Sequence, residues 1–247
     1  MKNGDVLMVS VFKKELRVFF SNAAGYIVIG IFLLLTGLLL WIIPGEYNIL
    51  DNGYAAVDGL FYLAPRLYLF LIPAITMRFF AEEKQTGTWE LLITKPLTTR
   101  QIVLGKYFAG TILVLLALLP TLLYYFTVSY LAEPTGNVDS GQFWGSFIGL
   151  FFLAIVYLAI GMFCSSLSKN QIVAFILSAT TCFFFYYGFD VITSFVSGGN
   201  KIQLVENLGI NAHYNSISRG VVDSRDILYF IIVTLIFLQL TVWKTKK

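Results

Sequence analysis

The sequence predicts an all-α, polytopic membrane protein of six transmembrane helices, with an amphipathic interfacial helix ahead of the first span and a short helix in a polar insert after the second. Three observations carry this. The 247 residues are 57% hydrophobic and only 13% charged, where a soluble domain carries about 25% charge. Six apolar runs are long enough to cross a bilayer at about 1.5 Å per residue. The polar stretches between them carry caps, prolines and glycines in an order that reads as helix ends and turns.

Residues 8–20 place apolar Met8, Phe12, Leu16 and Phe19 at helical spacing, with Ser10, Lys13, Lys14 and Arg17 opposite and Glu15 off the pattern. This is the expected interfacial helix. Tyr26 to Ile43 supplies the first span, ended by Pro44-Gly45. No small-residue cleavage site follows it, so it is expected to remain attached as a span. The second run is interrupted by charge: only 11 uncharged residues separate Arg66 from Arg78. A span must therefore run from about Gly59 to Phe80, with Arg78 snorkelling at one end. Arg66 sits well inside the other half, where it is either a pathway residue or a snorkelling anchor. Pro73 predicts a kink.

Phe108 to Ala132 is a third span, bent or tilted at Pro120. Phe143 to Leu167 is a fourth, whose Gly145-x-x-x-Gly149 would admit close approach of another helix. After a tight turn at Lys169, Ile172 to Phe189 makes a fifth. Its five consecutive aromatics, Phe183 to Tyr187, fit an interfacial belt or a ligand surface. Residues 193–226 form the longest polar connection, and Ile227 to Trp243 closes the chain as a sixth span with lysines behind it. Cys164 and Cys182 lie inside apolar runs and are expected to pack as small hydrophobes. His213 has no metal-binding company at suitable spacing and is expected to be a surface histidine.

The most informative stretch is 82–106, EEKQTGTWELLITKPLTTRQIVLGK. Gly87 breaks the helix arriving from the second span, Thr88 is a fair N-cap, and Glu90 suits a helix N-terminus. A short helix over about Trp89 to Thr94 follows, and Pro96 stops it. Thr98-Thr99-Arg100-Gln101 has capping-box spacing, so a new helix starts there and continues through Gly105-Lys106 into the third span.

Charge orients the chain. With the 82–106 insert placed inside, all of the 17 basic residues except Arg66, Lys201, Arg219 and Arg225 fall on the inner side. The positive-inside rule then predicts both termini to be cytoplasmic.

The order of acidic pair, Gly-Thr, Glu-Leu-Leu, Pro and Gly-Lys in the insert resembles the cytoplasmic loop of ABC-2-type exporter permeases. The Arg-Gly-Val-Val-Asp-Ser-Arg-Asp run at 219–226 is similar to the stretch before the last helix of that family. The resemblance implies one ABC-2 permease domain over residues 1–247, with residues 82–106 as a coupling loop docked on an ATPase subunit. It assigns that coupling role to Glu82, Glu83, Gly87, Thr88, Trp89, Glu90, Leu91, Pro96, Gly105 and Lys106. The chain looks most like the permease of the gliding-motility-associated transporter. Two permease subunits per complex, identical or different, are implied, in a bacterial inner membrane, with no nucleic acid among the partners.

ATP and magnesium are expected only in the partner. The phosphate-cradling G-x-x-x-x-G-K-[ST] pattern is absent, since Arg100 stands where its first Gly belongs and Tyr107 where its Ser or Thr belongs. An intramembrane enzyme would need a nucleophile with a base, or paired acids, at one depth. The uncharged runs hold no His, Asp or Glu, so no catalytic residue is expected in this chain. The alternative is a membrane scaffold or assembly subunit of a motility or secretion complex.

Overall fold

The computed structural model describes residues 2–195 and 199–246. Residues 196–198 of the 193–226 segment, and Lys247 behind the last span, lie outside the described residues. Among the described residues there is no strand, and six helical stretches are long and apolar enough to cross a membrane. The chain is a multi-pass membrane protein.

Helix α1 (Lys2–Ser21) precedes α2 (Ala23–Gly37), which tightens into a π-helical turn over Leu38–Ile42; Gly25–Ile42 is the first span. The second span, α3 (Asp58–Gln85), is longer than the apolar run that predicted it and carries Pro65 as well as Pro73 without interruption. A short α4 (Thr88–Ile93) follows. Pro120 has the expected effect on the third span: α5 (Thr99–Leu118) gives way to a 3₁₀ turn at Leu119–Thr121 before α6 (Leu122–Leu131). There the Thr121 hydroxyl donates back to the Leu118 carbonyl at 2.7 Å, within the tightened turn that follows the loss of the proline donor. Then come α7 (Ser140–Leu167) and α8 (Gln171–Phe183), which passes through a π-helical turn at Phe184–Gly188 into α9 (Phe189–Thr193). Two further helices, α10 (Gly199–Glu206) and α11 (Ile210–Ile217), lead to the sixth span, α12 (Ser224–Thr245).

Helices α3 and α7 are the central pair. They pack on each other, α7 also packs on α12 and α8, and α5 packs on α1 and α7. The outer spans face lipid instead: Ile27, Ile31 and Leu34 on α2 and Ile172, Ile176 and Leu177 on α8 are exposed. In a bilayer such faces carry no penalty, so packing of small residues and buried polar contacts decides which helices meet. Gly145 and Gly149 on α7 illustrate this, although their partner is not another span. A Cβ on Gly145 would stand 2.9 Å from the Gly220 Cα, and one on Gly149 would stand 3.2 Å from the Ile217 side chain. The pair therefore seats α11 and the turn after it against the bundle.

The polar connection 193–226 thus holds helices that its composition concealed. His213 corrects a second expectation, because it is not a free surface residue. Its Nδ1 lies 2.6 Å from Asp226 Oδ1, its Nε2 lies 2.9 Å from the Asn207 carbonyl, and its ring stacks on Tyr229 at 3.8 Å. The contact fastens α11 to the start of α12. Both cysteines are buried and unbridged.

Candidate functional site

The segment joining α3 to α5 folds as a compact elbow at one end of the bundle. Helix α3 ends at Gln85, and Gly87 takes a left-handed φ of +72°, a conformation that side-chain-bearing residues rarely adopt. Gly87 itself is the N-cap residue of α4. Thr88 is the first helical residue, so the expected Thr88 cap is displaced by one, and the helix ends at Ile93 with Thr94 as its C-cap. The Thr88 hydroxyl instead meets the Thr86 hydroxyl at 2.9 Å. Pro96 lies in the turn beyond. The capping box forms as its spacing predicts: Gln101 N–H donates to Thr98 Oγ1 at 3.4 Å and Thr98 N–H to Gln101 Oε1 at 2.9 Å.

Helix α4 has two faces. Trp89 and Leu92 are buried, with the Trp89 ring edge-on to Phe80 of α3 at 5.6 Å. On the opposite face Glu90, Leu91 and Ile93 are exposed, and Leu91 leaves 67% of its surface open. Gly87, Thr88 and Pro96 are also at the surface. Glu82 is held by its own helix, accepting two hydrogen bonds from Arg78 at 2.8 and 3.1 Å.

The other members of the predicted set lie inside. Lys106 is 1% exposed and Glu83 9%, and they meet Glu15 of α1, a residue outside that set, which is 5% exposed. The Lys106 ammonium sits 3.0 Å from Glu15 Oε1 and 3.0 Å from Glu83 Oε1, and Lys14 closes the figure from outside at 3.2 and 2.7 Å to the same two oxygens. The Phe80 ring lies 5.5 Å from the Lys106 nitrogen. Two cations and two anions therefore neutralise one another where α1, α3 and α5 converge. A buried ammonium is tolerable only with such partners. Burial disfavours charge on Glu15, but Lys106 and Lys14 outweigh it and hold its carboxyl below the usual range. For Lys14 burial likewise acts against the charge, and the two carboxylates reverse it and raise the pKa.

Glu15 was the residue that broke the amphipathic pattern of residues 8–20. It belongs to the buried face, because Val11, Glu15 and Phe19 at four-residue spacing are the positions turned inward. Gly105 lets that face come close: a Cβ there would stand 3.0 Å from Val11 and 3.1 Å from the Met8 carbonyl. Gly-Lys is thus one device. The glycine admits α1, and the lysine ties it down.

Helix α7 completes the frame. Ser165 Oγ accepts from the Phe80 and Ala81 amides at 3.1 and 3.2 Å and donates to the Met77 carbonyl at 3.0 Å, and Lys84 donates to the Ser166 carbonyl. The last two turns of α3 are therefore tied to α1, α5 and α7 together. A cleft of about 280 Å³, lined by Lys14, Glu82, Glu83, Thr88 and Lys106 among others, opens beneath the elbow.

Arg66 lies toward the opposite end of α3. Its Nη1 donates to the Tyr47 hydroxyl at 2.8 Å and its Nε to the Tyr187 hydroxyl at 3.4 Å. The five-aromatic run divides: Tyr186 is buried and, with Tyr187, lines a cleft beside Arg66, while Phe183 and Phe184 face outward. Neither tyrosine contact was legible from the local sequence. The five-aromatic run was the one available signal.

A family model described as ABC-2 family transporter protein matches residues 63–243. The match begins near Arg66, spans the elbow and ends two residues short of the end of α12. No curated protein matches the chain.

Proposed function

The chain belongs to the ABC-2 transporter family and is a transmembrane permease component of an ABC transporter, and from that premise we propose that the elbow is its coupling element, receiving the stroke of a separate ATPase subunit at α4. One observation carries the reading. An amphipathic single-turn helix exposes Glu90, Leu91 and Ile93 while its other face is fastened to a span. A push on that face is transmitted because α3 and α5 leave the elbow already bound to each other through Glu83 and Lys106. Coupling requires that α4 contact the two motor states differently, since equal contact shifts nothing.

Roles divide accordingly. Leu91, with Glu90, Gly87, Thr88 and Pro96 around it, forms the docking surface. Trp89 seats α4 on α3, Glu82 is oriented by Arg78, and Glu83, Gly105 and Lys106 act as positioning residues that make the elbow rigid. ATP and magnesium belong to the ATPase, for this chain offers no phosphate-cradling loop. The elbow faces the cytoplasm of a bacterial inner membrane, as do both termini, and a second permease subunit completes the complex. Export, and a link to gliding motility, follow from the resemblance of the insert and of the 219–226 run.

The test replaces Leu91 by Asp in the assembled complex and measures co-purification of the ATPase and its stimulated turnover. Leu91 is largely exposed, so folding is expected to be retained while co-purification falls at least about tenfold, the effect of a single lost apolar anchor. Unchanged association and turnover would remove the coupling role and favour a scaffold.

A further inference from the structure

The end of the bundle away from the elbow contains a cleft of about 230 Å³ between α3, α7, α11 and the π-helical turn after α8. Arg66 is exposed into it. Among the described residues no carboxylate lies within ion-pairing distance of its guanidinium. Its partners are two hydroxyls, those of Tyr47 and Tyr187, which accept from arginine and so keep their own protons for donation. Arginine carries five N–H groups and no acceptor. After the two bonds to tyrosine, three N–H groups and two phenolic O–H groups remain, all of them donors.

Such a set has no use for a cation or a neutral acceptor-poor group. It matches an oxyanion: Arg66 and Tyr187 reach the cleft from α3 and from the turn after α8, while Tyr47 holds the guanidinium from the loop before α3. That spread suits the tetrahedral oxygens of phosphate better than the plane of a carboxylate. Asp58 lines the same cleft, but eight residues along α3, about 12 Å at the helical rise, and it accepts from the Gln142 amide at 3.1 Å. Tyr62 and Asn215 provide polar wall between them.

We propose that this cleft binds a net-anionic, phosphate-bearing head group, one with no choline to balance its charge, with Arg66 as the charged anchor, Tyr187 as an oriented donor in the cleft wall and Tyr47 holding the guanidinium from the loop before α3. The proposal deepens the permease reading by naming a ligand chemistry at the end opposite the motor. It is read without the ATPase, so failure of either leaves the other standing.

The experiment uses the full chain in vesicles of phosphatidylcholine containing phosphatidylglycerol. Native mass spectrometry reads lipid retained on the chain, and soluble glycerol phosphate serves as competitor. Wild type is expected to retain phosphatidylglycerol over phosphatidylcholine, or to bind glycerol phosphate if the natural source is a soluble anion. Arg66→Gln should weaken retention about tenfold or more, the loss expected for a charge-assisted pair, and Arg66→Lys should restore part of it. Because loss of Arg66 could also disturb folding, Asn215→Asp provides a second test: it adds a negative charge to the cleft wall and leaves the Arg66–tyrosine contacts intact, and it should weaken binding several-fold. The proposal is overturned if wild type binds neither phosphate source, if it retains phosphatidylcholine equally, or if Arg66→Gln and Asn215→Asp both bind as wild type does.

Discussion

Lys106→Met is expected to destabilise the chain by about 3 to 5 kcal/mol, the cost of leaving buried carboxylates without their main counter-ion, and to lower the thermal midpoint in detergent by roughly 10 °C. The reason lies in the count of charges. Lys106 is the inner cation of a four-membered cluster, and without it Glu15 and Glu83 face each other with only the half-exposed Lys14 between them. Methionine preserves much of the side-chain volume, so the loss is electrostatic and not a cavity effect. Adding Glu83→Leu to Lys106→Met should therefore recover more than half of the lost midpoint, because one anion then remains for one cation. If the single substitution left the midpoint unchanged, the cluster would not be what fastens α1 and α5 to α3. Stimulated ATPase turnover should fall with the single variant even at temperatures where it stays folded, since a loosened elbow absorbs the stroke.

The second large effect is expected at the centre of the bundle. A Cβ on Gly161 of α7 would stand 2.1 Å from Thr76 Oγ1 on α3 and 2.9 Å from Ser178 Oγ on α8. Thr76 is fully buried and donates to the Ile72 carbonyl at 3.0 Å, so moving its hydroxyl aside would cost that bond. Gly161→Ala should cost about 1 to 3 kcal/mol as an overpacked contact and spread α3 from α7. Thr76→Ala in the same chain removes the shortest approach and should return part of the loss. The readout is the thermal midpoint of the two single variants and the double variant, and strict additivity would show that the two positions do not touch. Because the elbow hangs from α3, the single variant should also weaken ATPase stimulation while leaving association through α4 intact.

What was legible in the sequence follows the range of the forces involved. The six spans were legible because length and apolarity act locally, and the capping box at Thr98 and Gln101 because its two partners are three residues apart. Gly87 was legible as a helix breaker for the same reason. The interior of the elbow was not. Glu15 finds Lys106 across 91 residues, so in the helical pattern of α1 it read only as an exception. Arg66 finds Tyr47 and Tyr187 at separations of 19 and 121 residues, and its environment could not be read from the apolar run around it. Helices α10 and α11 are too short and too polar to read as spans; α11 carries a buried stripe of Ile210, Tyr214 and Ile217, but over eight residues it was concealed in what composition alone presents as a loop. The resemblance of the insert to a coupling loop marked ten residues as one functional set. Their placement separates them into exposed residues on and around α4, a half-buried Glu82 held by Arg78, and buried residues, with Trp89 seating α4 on α3 and Glu83, Gly105 and Lys106 bracing the elbow from inside.

The reading depends on the elbow facing the compartment that holds ATP, with α4 as its accessible face. Leu91→Cys provides the direct measurement, since both native cysteines are buried and Leu91 is open to solvent. A membrane-impermeant maleimide is applied to intact cells and to inverted membrane vesicles, with Asn215→Cys as the reference at the opposite end. The account predicts that position 91 is labelled only in inverted vesicles, that position 215 is labelled only in intact cells, and that bound ATPase protects position 91. Labelling of position 91 in intact cells would contradict it.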